Sequence, residues 1–200
     1  MRWTCLPRSD VGVCLVPFKS FRRLEIPDVV LVEYAVFPDE RGFFAELYKR
    51  TEFLSGGVPY GFVQVNLSFS RAGVVRALHY QLKPMEQGKL VYVVSGRVFD
   101  VAVDIRRGSP WFGRHVSVVL EPGFALWVPP GFAHGFQALE DSFFLYFVTK
   151  EYSPQHERCI FWRDPDLGIR WPRVEGAVVS GRDSRCPLFR EAETNFEYPL

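Results

Sequence analysis

The stretch Val98-Phe99-Asp100-Val101-Ala102-Val103-Asp104-Ile105 decides the fold class. Phe99, Val101, Val103 and Ile105 fall on one side of a period-two pattern, and Val98, Asp100, Ala102 and Asp104 on the other. Successive side chains of an extended chain point to opposite faces, so one apolar face and one mixed face describe a half-buried strand. Runs of the same kind recur at 29–37, 43–48, 62–67, 74–81, 90–95, 115–120, 125–128 and 143–149. Glycine, proline and aspartate clusters separate them, as at 39–42, 56–59, 71–73, 108–110, 121–123 and 129–131. Many short strands divided by turn signals predict an all-β sandwich or barrel. Helices are expected only in short pieces, near 49–54 and after Pro154.

Composition agrees. Nineteen Phe against two Met favour pleated surfaces, on which aromatic side chains pack well. Two hundred residues suit one domain, read as 21–200 behind an N-terminal extension over 1–20. Residues 152–200, richer in Pro, Arg and Asp, read as a wrapping C-terminal tail. The net charge of +1 asks for neither nucleic acid nor an anionic membrane. The apolar run 11–16 is too short for a secretory signal, so a cytoplasmic protein is expected. Cys5, Cys14, Cys159 and Cys186 form no CxxC pair and are expected as free thiols, with a Cys5–Cys14 loop left open.

Four histidines can be weighed singly. His115 and His156 lie in polar stretches and read as surface residues. His134 lies in Gly123-x5-Pro129-x-Gly131-x2-His134, which resembles the second motif of the cupin superfamily. The first cupin motif is His-x-His, but the residue two after His79 is Gln81. Two imidazoles with one possible carboxylate make a poor catalytic metal site, so no metal is expected. An imidazole without a metal is free for proton transfer near neutral pH. Its competing reading is a core histidine bonded to backbone.

Several separated motifs, in order, resemble the dTDP-4-dehydrorhamnose 3,5-epimerase family. They are Asp39-Glu40-Arg41-Gly42-Phe43-Phe44, Phe62-Val63-Gln64-Val65-Asn66, Val75-Arg76-Ala77-Leu78-His79-Tyr80-Gln81, Gln87-Gly88-Lys89-Leu90-Val91, and the segment from Val98 to Arg106. Gly131-Phe132-Ala133-His134-Gly135-Phe136, Phe144-Leu145-Tyr146, Tyr152-Ser153-Pro154 and Ser180-Gly181-Arg182-Asp183 follow. The resemblance implies a cupin-type jelly-roll β-barrel that works without a cofactor. It implies His79 as base, Asp183 as the carboxylate paired with it, Lys89 at the developing oxyanion and Tyr146 as acid. Arg41 and Arg76 match diphosphate-binding arginines. Gln64, Asn66, His134 and Tyr152 match further site residues. It also implies a dTDP-sugar substrate and a homodimer, in which Arg41 serves the neighbouring subunit's site. The family usually has Gly at position 77 and His at position 67, where this chain has Ala77 and Leu67; the latter change falls on the polar lining or the barrel packing.

The chemistry asks for the same cast. Epimerisation beside a C4 ketone needs a base, a donor at the enolate oxygen and an acid on the opposite face. Taken singly, each residue has a plainer reading. Arg41 could decorate a turn, Lys89 a strand edge, Tyr146 the core, and Asp183 a turn or cap. Arg76 and His79 are three apart, so a flat strand would point them to opposite faces, and sharing a site requires a bulge or strand end. The alternatives are an epimerase that inverts one carbon, a 3,4-ketoisomerase of the same barrel type, which the His79–Lys89–Tyr146 set fits less well, a metal-dependent cupin oxygenase, and a non-catalytic sugar-nucleotide-binding module.

Overall fold

The computed structural model describes residues 16–199. The chain runs β1 (Phe18–Arg23), β2 (Val30–Tyr34), β3 (Val36–Asp39), β4 (Gly42–Ala45), α1 (Arg50–Ser55), β5 (Gln64–Ser70), β6 (Val74–Gln81) and β7 (Lys89–Ser95). It continues β8 (Val98–Asp104), β9 (His115–Leu120), β10 (Phe124–Val128), β11 (Phe132–Ala138), β12 (Ser142–Val148), β13 (Glu157–Cys159) and β14 (Val178–Val179). Two 3₁₀ turns, Asp183–Arg185 and Phe189–Glu191, follow.

Two sheets enclose the core. One has the order β1-β2-β10-β7-β12-β5, the other β13-β6-β11-β8-β9, with β14 added in parallel to β6. The strands β3 and β4 form a separate hairpin. Between the sheets, Val91, Val93, Leu126 and Val128 are buried in one cluster with Ala102, Val116, Leu120, Phe132 and Phe136. This is the cupin-type jelly roll, and full burial of each large side chain contributes roughly 1.5–3 kcal/mol.

The strand that announced the fold differs from its reading in one respect. Both faces of β8 are buried. Its mixed face lines the barrel interior, while Val101, Val103 and Ile105 pack outward under Ile160, Trp162, Leu167, Trp171 and Phe196. Trp171 Nε1 donates to the Trp162 carbonyl at 2.6 Å, which satisfies a polar atom inside that cover.

Other boundaries differ. The strand β1 starts at Phe18, whose side chain is buried, three residues before the expected start at Phe21. The earlier part of the 1–20 extension lies outside the described residues, as do Cys5 and Cys14. The expected short helix near 49–54 is α1, whereas the segment after Pro154 forms turns and β13 because it pairs with β6. The strand β11 is buried at all seven positions and so carries no alternation to read. Cys159 and Cys186 are joined in a disulfide, not free; β13 and the turn after β14 both attach to β6 and bring their Cα atoms to 5.6 Å.

The strand β5 is patterned inside out. Gln64, Asn66 and Ser68 are half-buried, while Val65, Leu67 and Phe69 are exposed. Leu67 therefore faces away from the barrel, and its replacement of the family's histidine leaves the interior lining and packing untouched. Phe143 and Phe69, with ring centroids 5.0 Å apart, continue this apolar surface. Leu145 and Phe147 pack instead with the cluster around Phe53 of α1.

Candidate active site

A bulge in β6 creates the site. His79 pairs with His134 of β11, and the next registered pair is Arg76 with Phe136, so three steps on β6 match two on β11. The extra residue brings Arg76 and His79 to one cavity, as their spacing required. Gly135 makes room for it. A Cβ there would lie 2.4 Å from Ala77 Cβ and 2.8 Å from the Arg76 carbonyl oxygen. Gly88 has a similar duty beside Lys89, since a Cβ there would lie 2.3 Å from the Trp127 ring.

Asp183 arrives from far along the chain. The strand β14 lays Val178 and Val179 beside Val74 and Val75, and the 3₁₀ turn that follows carries Asp183 to His79. His79 Nε2 and Asp183 Oδ1 are 2.9 Å apart. The Ala77 N–H donates to Asp183 Oδ2 at 3.4 Å, and the Asp183 N–H donates to Ser180 Oγ at 3.0 Å. Burial opposes ionisation of Asp183, but the His79 contact, the Ala77 N–H and Ser180 outweigh it and hold the carboxyl below the usual carboxylate range. With Nε2–H donated to Asp183, the tautomer leaves Nδ1 as the nitrogen able to take a proton.

The other groups converge from the facing strands. The cavity of about 520 Å³ is lined by His79, Asp183, Lys89, Tyr146, Arg76 and His134, among others. Lys89 Nζ donates to the His79 carbonyl at 3.3 Å. Burial pulls the ammonium down to about 8, against the opposing charges of Glu157 and Asp100. Tyr146 on β12 stands opposite Asn66 of β5, and burial raises its phenol above the ordinary value. Arg76 donates from Nε to Ser70 Oγ at 3.0 Å and from its terminal nitrogen to the Phe69 carbonyl at 3.1 Å. His134 Nε2 meets Asp100 Oδ1 at 2.9 Å inside the barrel, and burial pushes the Asp100 carboxyl up despite His134 and Lys89.

A second cavity of about 310 Å³ shares His79, Lys89 and Tyr146 with the first and adds Gln64, Asn66 and Tyr152. Gln64 donates to Asn66 Oδ1 at 2.8 Å and accepts from the Tyr152 N–H at 2.8 Å. Nine of the ten predicted site residues therefore line one continuous cleft. Arg41 does not. It sits on the β3–β4 turn, 84% exposed, with its guanidinium 2.6 Å from Asp39. Gln81, where a metal cupin would place a ligand, is committed to backbone partners at Met85, Glu151 and Ser153. The other two histidines are half-buried, not surface residues: His156 Nδ1 meets Ser153 Oγ at 2.7 Å, and His115 packs near Leu167.

Three cleft residues, and the buried carboxylate behind His134, escaped the sequence reading. That carboxylate, Asp100, sits on the mixed face of β8, where it was visible but its partner was not. Ser68 continues the period-two row of Gln64 and Asn66, and its buried hydroxyl has no partner among the described residues. Glu157 accepts from Tyr152 at 2.6 Å and pairs with Arg182 at 2.6 Å. Arg182 adjoins Asp183 in a motif whose aspartate alone drew attention.

A histidine–aspartate pair, a half-buried lysine and a half-buried tyrosine surround one cleft of a jelly-roll barrel, a set of groups suited to moving protons and typical of an isomerase class that needs no redox chemistry. The sequence model of the dTDP-4-dehydrorhamnose 3,5-epimerases matches residues 23–191. A dTDP-4-dehydrorhamnose 3,5-epimerase of Pseudomonas aeruginosa is 49% identical over 175 residues, covering 86% of this chain and 96% of that protein. The crystal structure of the Sulfolobus tokodaii enzyme of that name aligns with TM-score 0.83 and 48% identity, covering 90% and 99% of the two chains. A Legionella pneumophila epimerase in complex with dTDP-4-keto-L-rhamnose aligns with TM-score 0.82 and 41% identity, covering 86% and 93%. The chain belongs to the dTDP-4-dehydrorhamnose 3,5-epimerase family.

Proposed function

We propose that this enzyme converts dTDP-4-keto-6-deoxy-D-glucose to dTDP-4-keto-L-rhamnose by inverting C5 and C3 beside the C4 ketone, a step of dTDP-L-rhamnose biosynthesis. The observation that carries the reading is the 2.9 Å His79–Asp183 contact in a cleft shared with Lys89 and Tyr146. His79 Nδ1 removes the carbon-bound proton, and Asp183 holds the ring and stabilises the imidazolium that forms. The Lys89 ammonium stabilises the enolate oxygen, in a buried setting where a charge acts strongly. Tyr146 returns a proton from the opposite face, so the configuration inverts. Its raised pKa keeps the phenol protonated and able to donate at neutral pH.

Arg76, fixed by Ser70 and Phe69, supplies planar donors for the diphosphate. Gln64, Asn66 and Tyr152 line the path beside it, and His134 borders the sugar. The working unit is a homodimer. Its support is the exposed apolar row Val65, Leu67, Phe69 and Phe143, together with a separate hairpin whose Phe43 and Phe44 are exposed. A dimer across that face would let Arg41 act in the neighbouring subunit's cleft. No helix among the described residues is long and apolar enough to cross a membrane.

The test is proton NMR of the product formed from dTDP-4-keto-6-deoxy-D-glucose. The expected product is inverted at both carbons. Inversion at one carbon would make this a single-site epimerase, and unchanged substrate would refute the assignment.

A further inference from the structure

Cys159 and Cys186 lie directly behind the His79–Asp183 contact. On β13, Cys159 is the register partner of His79. Cys186 ends the 3₁₀ turn that carries Asp183, and its N–H donates to the Asp183 carbonyl at 3.4 Å. The disulfide spans 27 residues of sequence. It therefore ties the strand neighbour of the base to the turn that carries the base's carboxylate.

That turn is three residues long and its internal bonds are local, from the Ser184 N–H to the Ser180 carbonyl and from the Arg185 N–H to the Arg182 carbonyl, both at 3.0 Å, while the Arg182–Glu157 pair at 2.6 Å adds a non-covalent tie to β13. Its position is set by its attachments. Before Asp183 stands β14, only two residues long. After it stand the disulfide, the bond from the Phe161 N–H to the Pro187 carbonyl at 2.8 Å and, further on, the bond from the Phe189 N–H to the Asp164 carboxylate at 2.6 Å. The segment between the cysteines has separate anchors, because Ile160, Trp162, Leu167 and Trp171 are buried on the outer face of the second sheet. Losing the cross-link thus frees the Asp183 turn more than it frees the cover.

We infer that the Cys159–Cys186 disulfide is a positioning pair for the reaction, holding Asp183 against His79 so that the imidazole keeps one tautomer and one orientation. Neither sulfur borders the cleft, so the pair acts through Asp183 and not on substrate. A shift of about 1 Å in a catalytic group costs up to about a hundredfold in rate. The kinetic consequence rests on the epimerase reading; the geometric one does not.

The experiment uses the full-length protein. A non-reducing peptide map should contain the linked Cys159–Cys186 peptide. The Cys186→Ser and Cys159→Ser variants should each lose about ten- to a hundredfold in kcat with KM nearly unchanged. Phosphine reduction of the parent should reproduce that loss, and reoxidation should restore it. Nitrogen-edited NMR of the histidine rings reads the Asp183 contact without any substrate, and the His79 signal should move in both variants. An absent linked peptide overturns the inference, and so does an unchanged kcat with an unmoved His79 signal. If the untreated protein turns over no substrate, the epimerase reading fails alone and the ring signal still decides the positioning role.

Discussion

Among the described residues two histidine–aspartate pairs of the same length have their histidines on adjacent strands, and they differ in what surrounds them. His79 and His134 are cross-strand neighbours, each with a carboxylate oxygen 2.9 Å from Nε2. The His79 side chain is 25% exposed and that of His134 7%; their aspartates stand at 6% and 0%. Asp183 has a backbone N–H as a further donor and is held low, whereas Asp100 lies inside the barrel and is pushed up by burial. The same pair thus suits two uses. At the cleft wall, partly open to solvent, it fits the base of the proposed reaction; enclosed among apolar strands, it shapes the site and contributes to the fold. Exposure separates the two uses, since distance does not.

The largest effect should come from unbalancing the pairs by mutation. His79→Ala should lower kcat by on the order of 10⁴ with the thermal midpoint nearly unchanged, as general acid–base catalysis is worth up to about that much. Asp100→Ala should do the reverse, costing about 3 kcal/mol of stability in denaturant titration because it leaves a buried partner unmatched, with a much smaller change in kcat. Equal losses of activity would erase the distinction.

Lys89 sharpens the comparison, because it donates to the backbone of one histidine and lies near the carboxylate of the other. Lys89→Ala should lower kcat by about 10²–10³, the usual cost of an oxyanion donor. Its protonated form is lost as pH rises through about 8, so kcat/KM should fall there. Folding stability should move the opposite way. A lysine whose folded pKa lies below its unfolded value of 10.5 binds fewer protons in the fold, so stability rises between about 8 and 10.5. A pH–rate profile and melting curves over that interval check both signs.

The smallest effect lies at acid pH. Asp183, held low, contributes stability that is present above 3.8 and lost as pH falls through its folded value. Asp100, held high, destabilises while ionised, and acidification toward 3.8 relieves that cost. Melting curves of Asp183→Asn and Asp100→Asn should therefore depart from the parent in opposite directions on acidification.

Local pattern made much of this legible. Alternation in β6, β7, β8 and β9 announced the barrel, and the three-residue spacing of Arg76 and His79 demanded the bulge that β6 contains. Features that depend on distant covering were not legible. The strand β8 looked half-buried because its mixed face is covered by the facing sheet, while its apolar face packs outward under Trp162 and Trp171, which lie some sixty residues later. The fully buried β11 has no period at all. Leu67 faces away from the cleft because β5 turns its polar row inward. Cys159 and Cys186, 27 apart, carry no spacing signal, since they meet only when β13 pairs with one side of β6 and β14 carries the 3₁₀ turn back to it.

The central claim is that His79 removes the proton beside the ketone. The direct test follows dTDP-4-keto-6-deoxy-D-glucose by proton NMR in heavy water, with the parent enzyme and with His79→Ala. The account predicts deuterium at C3 and C5 with the parent and none above background with the variant. Deuterium entering at the parent rate with His79→Ala would contradict it and place the base elsewhere in the cleft.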